Sequence, residues 1–134
     1  MFQLPPNWRV NSQRLADFLA ALPEGPRYTF EFRDPSWFCD EVYTLLEEAN
    51  AAFCVYELGD QNSPVRTTAD FAYVRLHGPE AAYAGEYGEA GLAPWRDRLL
   101  EWRAAGIDSY CLFDNDEAGH APANAARLRQ LVGA

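Results

Sequence analysis

Tyr28-Thr29-Phe30-Glu31-Phe32-Arg33-Asp34-Pro35-Ser36-Trp37 alternates aromatic and polar side chains up to a proline turn. A two-residue period sends Tyr28, Phe30 and Phe32 to one face of a strand and Thr29, Glu31 and Arg33 to the other. Asp34-Pro35-Ser36 ends the strand, because the residue before a proline is pushed out of the helical region and proline has no N–H for the ladder. This reading gives a strand with one aromatic face, and a carboxylate and a guanidinium near its C-terminal end.

On both sides the chain switches between helical and strand periods. Phe2-Gln3-Leu4 reads as the end of a strand cut off by Pro5-Pro6. Asn11 or Ser12 caps a helix with Leu15, Phe18, Leu19 and Leu22 inward, and Pro23 and Gly25 stop it. A second helix is predicted over residues 40–48, burying Val42, Leu45, Leu46 and Ala49. A strand over 52–56 ends in Glu57, and residues 59–64 read as a loop. Residues 71–77 form another alternating strand, with Ala72, Val74 and Leu76 on one face and Phe71, Tyr73, Arg75 and His77 on the other. Residues 78–91 read as a long loop containing glycine and tyrosine, long enough to cover a site. Pro94 suits the first turn of a helix with Leu92, Trp95, Leu99 and Trp102 inward, closed by Gly106. A strand over 109–113 ends in Asp114-Asn115-Asp116, and Pro122 opens a last helix with Ala125, Leu128 and Val132 inward.

This order predicts an α/β fold, a parallel sheet of about five strands wrapped by helices. Fully buried parallel strands usually read as continuous Val, Ile and Leu. Here Glu31, Arg33, Arg75 and His77 interrupt that pattern near strand ends, which fits a barrel whose C-terminal mouth is a site.

The 134 residues suffice for one ordinary domain, and 49% hydrophobic residues exclude a disordered chain. With 20 acidic against 11 basic residues, the net charge of −9 disfavours nucleic acid and anionic membrane surfaces as partners. Cys39, Cys54 and Cys111 are odd in number, far apart and without C-x-x-C spacing, so reduced thiols and a cytoplasmic location are expected. No apolar run approaches the roughly 18 residues of a membrane span, and Met1-Phe2-Gln3-Leu4-Pro5-Pro6 lacks the regions of a signal peptide.

Four motifs resemble a known family: Phe2-Gln3-Leu4-Pro5-Pro6; Phe30 to Trp37 as quoted; Tyr73-Val74-Arg75-Leu76-His77-Gly78; and Asn115-Asp116 with Ala121-Pro122 and Asn124-Ala125. Together they are similar to the YecE-like family, domain of unknown function 72. The resemblance covers almost the whole chain and implies a TIM-barrel-like fold with no reaction assigned. It also implies that residues 1–134 are a partial domain, the C-terminal half of such a barrel, since a full barrel takes about 250 residues. Two unpaired sheet edges, self-association or pairing with an N-terminal half-barrel are then expected. Tyr56-Glu57-Leu58, Asp114 and His120 depart from the family pattern, where a small residue with Asp and Ser, an Asn and a Tyr are usual.

Several side chains carry candidate chemistry. Glu31 and His77, with Asp114, are candidate acid/base groups, and Arg33 and Arg75 are placed to hold negative charge. A structural ion-pair network filling the barrel explains the same charges without catalysis. Trp37, Tyr83 and Tyr87 either line the mouth and stack on a ring-bearing substrate or simply pack on the rim, and Asn115 is a further substrate-binding candidate. Glu31, Glu57, His77, Asp114 and Asp116 offer ligands for Mg²⁺ or Mn²⁺ should they converge, with loop capping as the simpler reading of the Asp-Asn-Asp turn. The leading expectation is an enzyme acting on a small polar or anionic substrate. Its alternatives are a non-catalytic binding module and a divalent-metal phosphodiesterase-like hydrolase, the latter disfavoured by the net charge.

Overall fold

In a computed structural model describing residues 1–134, strands and helices alternate as the periodicity predicts. The order is β1 (Phe2–Leu4), α1 (Ser12–Ala20), β2 (Thr29–Phe32), a 3-10 turn (Pro35–Trp37), α2 (Asp40–Glu48), β3 (Ala52–Leu58) and β4 (Gln61–Asn62). It continues with β5 (Phe71–Leu76), α3 (Glu89–Ala104), β6 (Asp108–Phe113), a second 3-10 turn (Glu117–Gly119) and α4 (His120–Val132). The strand order in the sheet is β1-β2-β3-β5-β6, with β4 attached to β3. β1 pairs with β2, and β2 with β3, in parallel register. The fold is therefore α/β, a largely parallel sheet with flanking helices.

The chain forms two compact units, one of Met1–Val55 with Ser63–Tyr73 and one of Tyr56–Asn62 with Val74–Ala134. In the first, the aromatic face of β2 builds the core. Phe30 and Phe32 are 1% and 0% exposed, and Phe32 stacks on Trp37 at 4.7 Å and 13°. Phe53 of β3 packs against Phe32 and meets the ring of Tyr43 edge-on at 5.5 Å. Such pairs each add about 0.5–1.5 kcal/mol beyond area burial. The turn after β2 is capped as its sequence demands: Asp34 Oδ1 accepts the Ser36 N–H at 2.9 Å. Those Ser36 hydrogen bonds hold the Asp34 carboxyl below its ordinary value. Asn11 caps α1 in the same way, its Oδ1 accepting the Arg14 N–H at 2.9 Å.

Five details differ from the sequence reading. In α1 only Leu15 is buried, and Phe18 is 42% exposed. The buried face of α2 is Val42, Tyr43 and Leu46, whereas Leu45 is half-buried and Ala49 is an exposed C-cap. The tyrosine ring reaches Phe53, and the helix ends before Ala49 can turn inward. Residues 59–64 are not all loop: Leu58 pairs with Gln61 in a tight antiparallel hairpin, closed by Gly59 at φ +60°. Helix α3 begins at Glu89, so Pro94 lies inside it and removes the bond its N–H would have made one turn back. In α4 the buried residues are Ala121, Asn124 and Leu128, and Ala125 is exposed, because an amide rather than an alanine faces inward. Of the two strands ending the sheet order, β6 leaves Tyr110 45% and Leu112 39% exposed.

Candidate functional site

Each of the two units contains some of the charged candidates. In the first unit, Glu31 is wholly buried between Phe30 and Phe32 along β2. The strand period puts Arg33 on its face, and the Arg33 Nε–H donates to Glu31 Oε1. The Cys54 thiol, from β3, reaches Glu31 Oε2 at 3.6 Å. Trp37 is 3% exposed, with one ring face on Phe32 and its Nε1–H donated to the Trp8 carbonyl at 2.7 Å, so it belongs to the core of this unit.

In the second unit, backbone hydrogen bonds gather the C-terminal ends of three strands. The His77 N–H donates to the Glu57 carbonyl at 2.8 Å, and the Asp114 N–H to the Leu76 carbonyl at 2.8 Å. Glu57, Arg75, His77, Asp114 and Asn115 thereby come to one end of β3, β5 and β6. Asp114 Oδ2 lies 2.8 Å from Arg75 Nη2 and 3.4 Å from His77 Nδ1. The imidazole is 0% exposed and meets the Tyr83 ring edge-on at 5.4 Å and the Tyr56 ring at 6.4 Å. Glu57, half-buried, hydrogen-bonds the Tyr87 hydroxyl, which also accepts the Gly78 N–H at 3.3 Å. Tyr83 is half-exposed, whereas Tyr87 is buried.

Asn115 uses its amide inside the protein: its Nδ2 donates to the Gly85 carbonyl at 2.8 Å and to Asn124 Oδ1 at 2.9 Å. Asn124 in turn accepts the Tyr87 N–H at 3.2 Å and donates to the Tyr87 carbonyl at 3.0 Å. This amide clamp fastens the base of the loop after β5, and Asn124 was not among the candidate site residues. Its signal was in the sequence, an asparagine on the inward stripe of α4 between Ala121 and Leu128. Asp116 is exposed at the start of the turn that follows, where its carbonyl accepts the Gly119 N–H. No three of the His, Cys, Asp and Glu side chains form a cluster that could hold a metal ion. A cavity of about 360 Å³ between β6, α3 and α4, lined by Leu99, Ile107, Cys111, Phe113, Leu128 and Val132, holds none of the charged strand-end groups.

Burial, and then the negative charge of Glu57, raise the Tyr87 hydroxyl well above its ordinary 10.0. The same two causes push the Cys111 thiol from 9.0 up to about 12. Both groups hold their protons more tightly folded than unfolded. Their contribution to stability is complete below the unfolded values, about 9 for the thiol and 10 for the phenol, and is lost as pH climbs from there. The urea midpoint is therefore expected to fall steadily from pH 8 to pH 11, and Cys111→Ala to delay the onset of that fall. A midpoint constant across this range would contradict the burial of both groups.

A family model described as "Protein of unknown function DUF72" matches residues 1–134, the whole chain. The chain belongs to the DUF72 family. A DUF72 protein of known structure from Thermotoga maritima superposes with a TM-score of 0.86 at 25% identity, over 100% of this chain and 58% of its own. Another, from Enterococcus faecalis, gives a TM-score of 0.81 at 15% identity, again over 100% and 58%. The chain thus spans about three-fifths of the length of these DUF72 structures. No curated protein matches it. DUF72 is a family of unknown function, and its membership supports the fold and names no reaction. No helix is long and apolar enough to cross a membrane.

Proposed function

We propose that this DUF72 chain carries an acid/base centre for a small polar substrate, with His77 as the proton-transferring group. The observation that carries the reading is the shared oxygen: Asp114 Oδ2 faces both His77 Nδ1 and Arg75 Nη2. A carboxylate beside Nδ1 favours the tautomer with its proton there, makes Nε2 the basic nitrogen, and stabilises the imidazolium that forms. Arg75 pairs with Asp114 at 2.8 Å and so is a positioning residue rather than a reacting one. An anionic substrate would have to compete with Asp114 for Arg75, so an uncharged polar molecule fits better. Glu31, paired with Arg33 and Cys54, suits a structural role, and Glu57 with Tyr87 is the nearer second carboxylate along the backbone link to His77.

The complete burial of His77 favours one rival, a binding module that holds a ligand without turning it over. Screening the chain against a metabolite library, with His77→Ala and Asp114→Asn alongside, separates the two. The proposal expects turnover of a hit to fall by about 10²–10⁴ in His77→Ala, as for loss of a general base. It expects a smaller loss in Asp114→Asn, with a shifted pH optimum. Equal turnover in His77→Ala would remove the acid/base role, and binding without turnover would favour the module.

A further inference from the structure

The loop after β5 is fastened at its base by buried amides and exposed at its tip. Asn115 holds the Gly85 carbonyl, and Asn124 holds both backbone groups of Tyr87. Residues 79–83, in contrast, are all exposed, and no buried side chain holds their backbone: the Ala84 N–H donates to the Ala81 carbonyl at 3.1 Å within the tip, and the Glu117 N–H to the Tyr83 carbonyl at 3.4 Å. Two glycines at positive φ bracket it, Gly78 at +132° and Gly85 at +90°. A Cβ on Gly78 would stand 2.3 Å from the Ala84 carbonyl oxygen, so the closed tip folds directly back on that glycine. At the tip Tyr83 itself has φ +65°, a left-handed conformation that a side chain adopts at a cost and that a turn normally assigns to glycine or asparagine. In return its ring lies edge-on against His77, 5.4 Å away, half in solvent while the imidazole is fully buried. A bulky residue kept in a conformation suited to glycine points to a task for its side chain.

We infer that residues 79–83 are a hinged cover over His77, with Gly78 and Gly85 as the hinges and Tyr83 as the residue that closes it. This rests on the proposed role of His77 for its purpose, and on the loop geometry alone for its existence. In the closed state the imidazole is shut off from solvent. Swinging the tip out about the two glycines exposes it while the asparagine clamps keep the base of the loop in place.

Accessibility of the imidazole tests the cover without any substrate. The chain has two histidines, and the part-exposed His120 serves as the internal reference. Diethylpyrocarbonate modification followed by mass spectrometry reads both rates in the same sample. In the unaltered chain His77 should react at least about ten-fold more slowly than His120, as expected for a group reached only through a local opening. Tyr83→Gly removes the ring and relieves the left-handed strain. It should raise the His77 rate about ten-fold with the His120 rate unchanged, while Tyr83→Phe keeps the slow rate. An unchanged His77 rate in Tyr83→Gly, or equal rates for the two histidines in the unaltered chain, would overturn the cover. Hydrogen exchange on the unaltered chain gives an independent check: the Ala84 amide should exchange well before the clamped Tyr87 amide, and equal protection would contradict a loose tip. A fast His77 in Tyr83→Gly with no turnover in any screen would leave the cover standing and remove the acid/base reading alone.

Discussion

Glu31→Ala is expected to lower the stability of the chain by about 3–5 kcal/mol, as when one partner of a buried ion pair is removed. Glu31 is fully buried, and the Arg33 side chain, 8% exposed, loses the carboxylate its Nε–H is donated to. The Cys54 thiol loses one of its two acceptors and keeps the Val55 carbonyl at 3.7 Å. The control is the double substitution Glu31→Met with Arg33→Met. Replacing both members of such a pair with apolar side chains of similar volume is often close to neutral, so this variant should recover much of the loss. Urea unfolding of the two variants beside the parent makes the measurement. A cost below about 1 kcal/mol for Glu31→Ala, the level of a solvated surface pair, would show that the two charges are not buried together. If the double variant is stable and keeps any turnover found for the parent, the pair is structural. If it is stable and inactive, Glu31 and Arg33 return as candidates for the chemistry.

The second large effect concerns Asn124. Its side chain satisfies the Tyr87 N–H, the Tyr87 carbonyl and the Asn115 amide, all of them buried. Asn124→Ala strands these groups at about 1–3 kcal/mol for each that water cannot reach. After partial relaxation, a total loss of about 2–4 kcal/mol is expected. Asn115→Ala removes part of the same network, so the double variant should cost less than the sum of the singles. The loss should also be local: hydrogen exchange at the Tyr87 amide should accelerate more than at amides in the centre of β3. Uniform acceleration would mean that the clamp stabilises the whole unit rather than fastening the loop. Because the clamp anchors the base of the cover, Asn124→Ala should also raise the reactivity of His77 without any change at Tyr83.

Much of the fold could be read from local pattern because its causes are local. The two-residue period of β2, the asparagine before α1 and the proline that ends β2 each act within a few residues of themselves. Where the reading slipped, a distant partner decided. Tyr43 of α2 turns inward because Phe53 of β3 offers its ring, and α3 starts at Glu89 just past the point where Asn124 holds Tyr87. The pairing of Leu58 with Gln61 depended on a positive φ at Gly59, which a glycine permits but does not require.

At the candidate site, residue order alone shows which side chains stand at the strand ends. Period-two alternation puts Glu31 and Arg33 on one face of β2, and Arg75 and His77 on one face of β5. Residue order also shows family membership, since four motifs spread along the chain are a property of order and identity alone. What those groups are bonded to follows from packing between distant parts of the chain. Arg33 turned to Glu31 and Arg75 to Asp114, so both guanidiniums already hold carboxylates of the chain. Pairings such as Arg75 with Asp114, or Asn124 with Tyr87, join residues nearly forty positions apart. The fold brings these groups within reach, and where they are buried, as Asn124 and Tyr87 are, water is removed as the competing partner and the amide must take the complementary group. No local pattern contains that information, which is why the strand ends were legible in the sequence and their wiring was not.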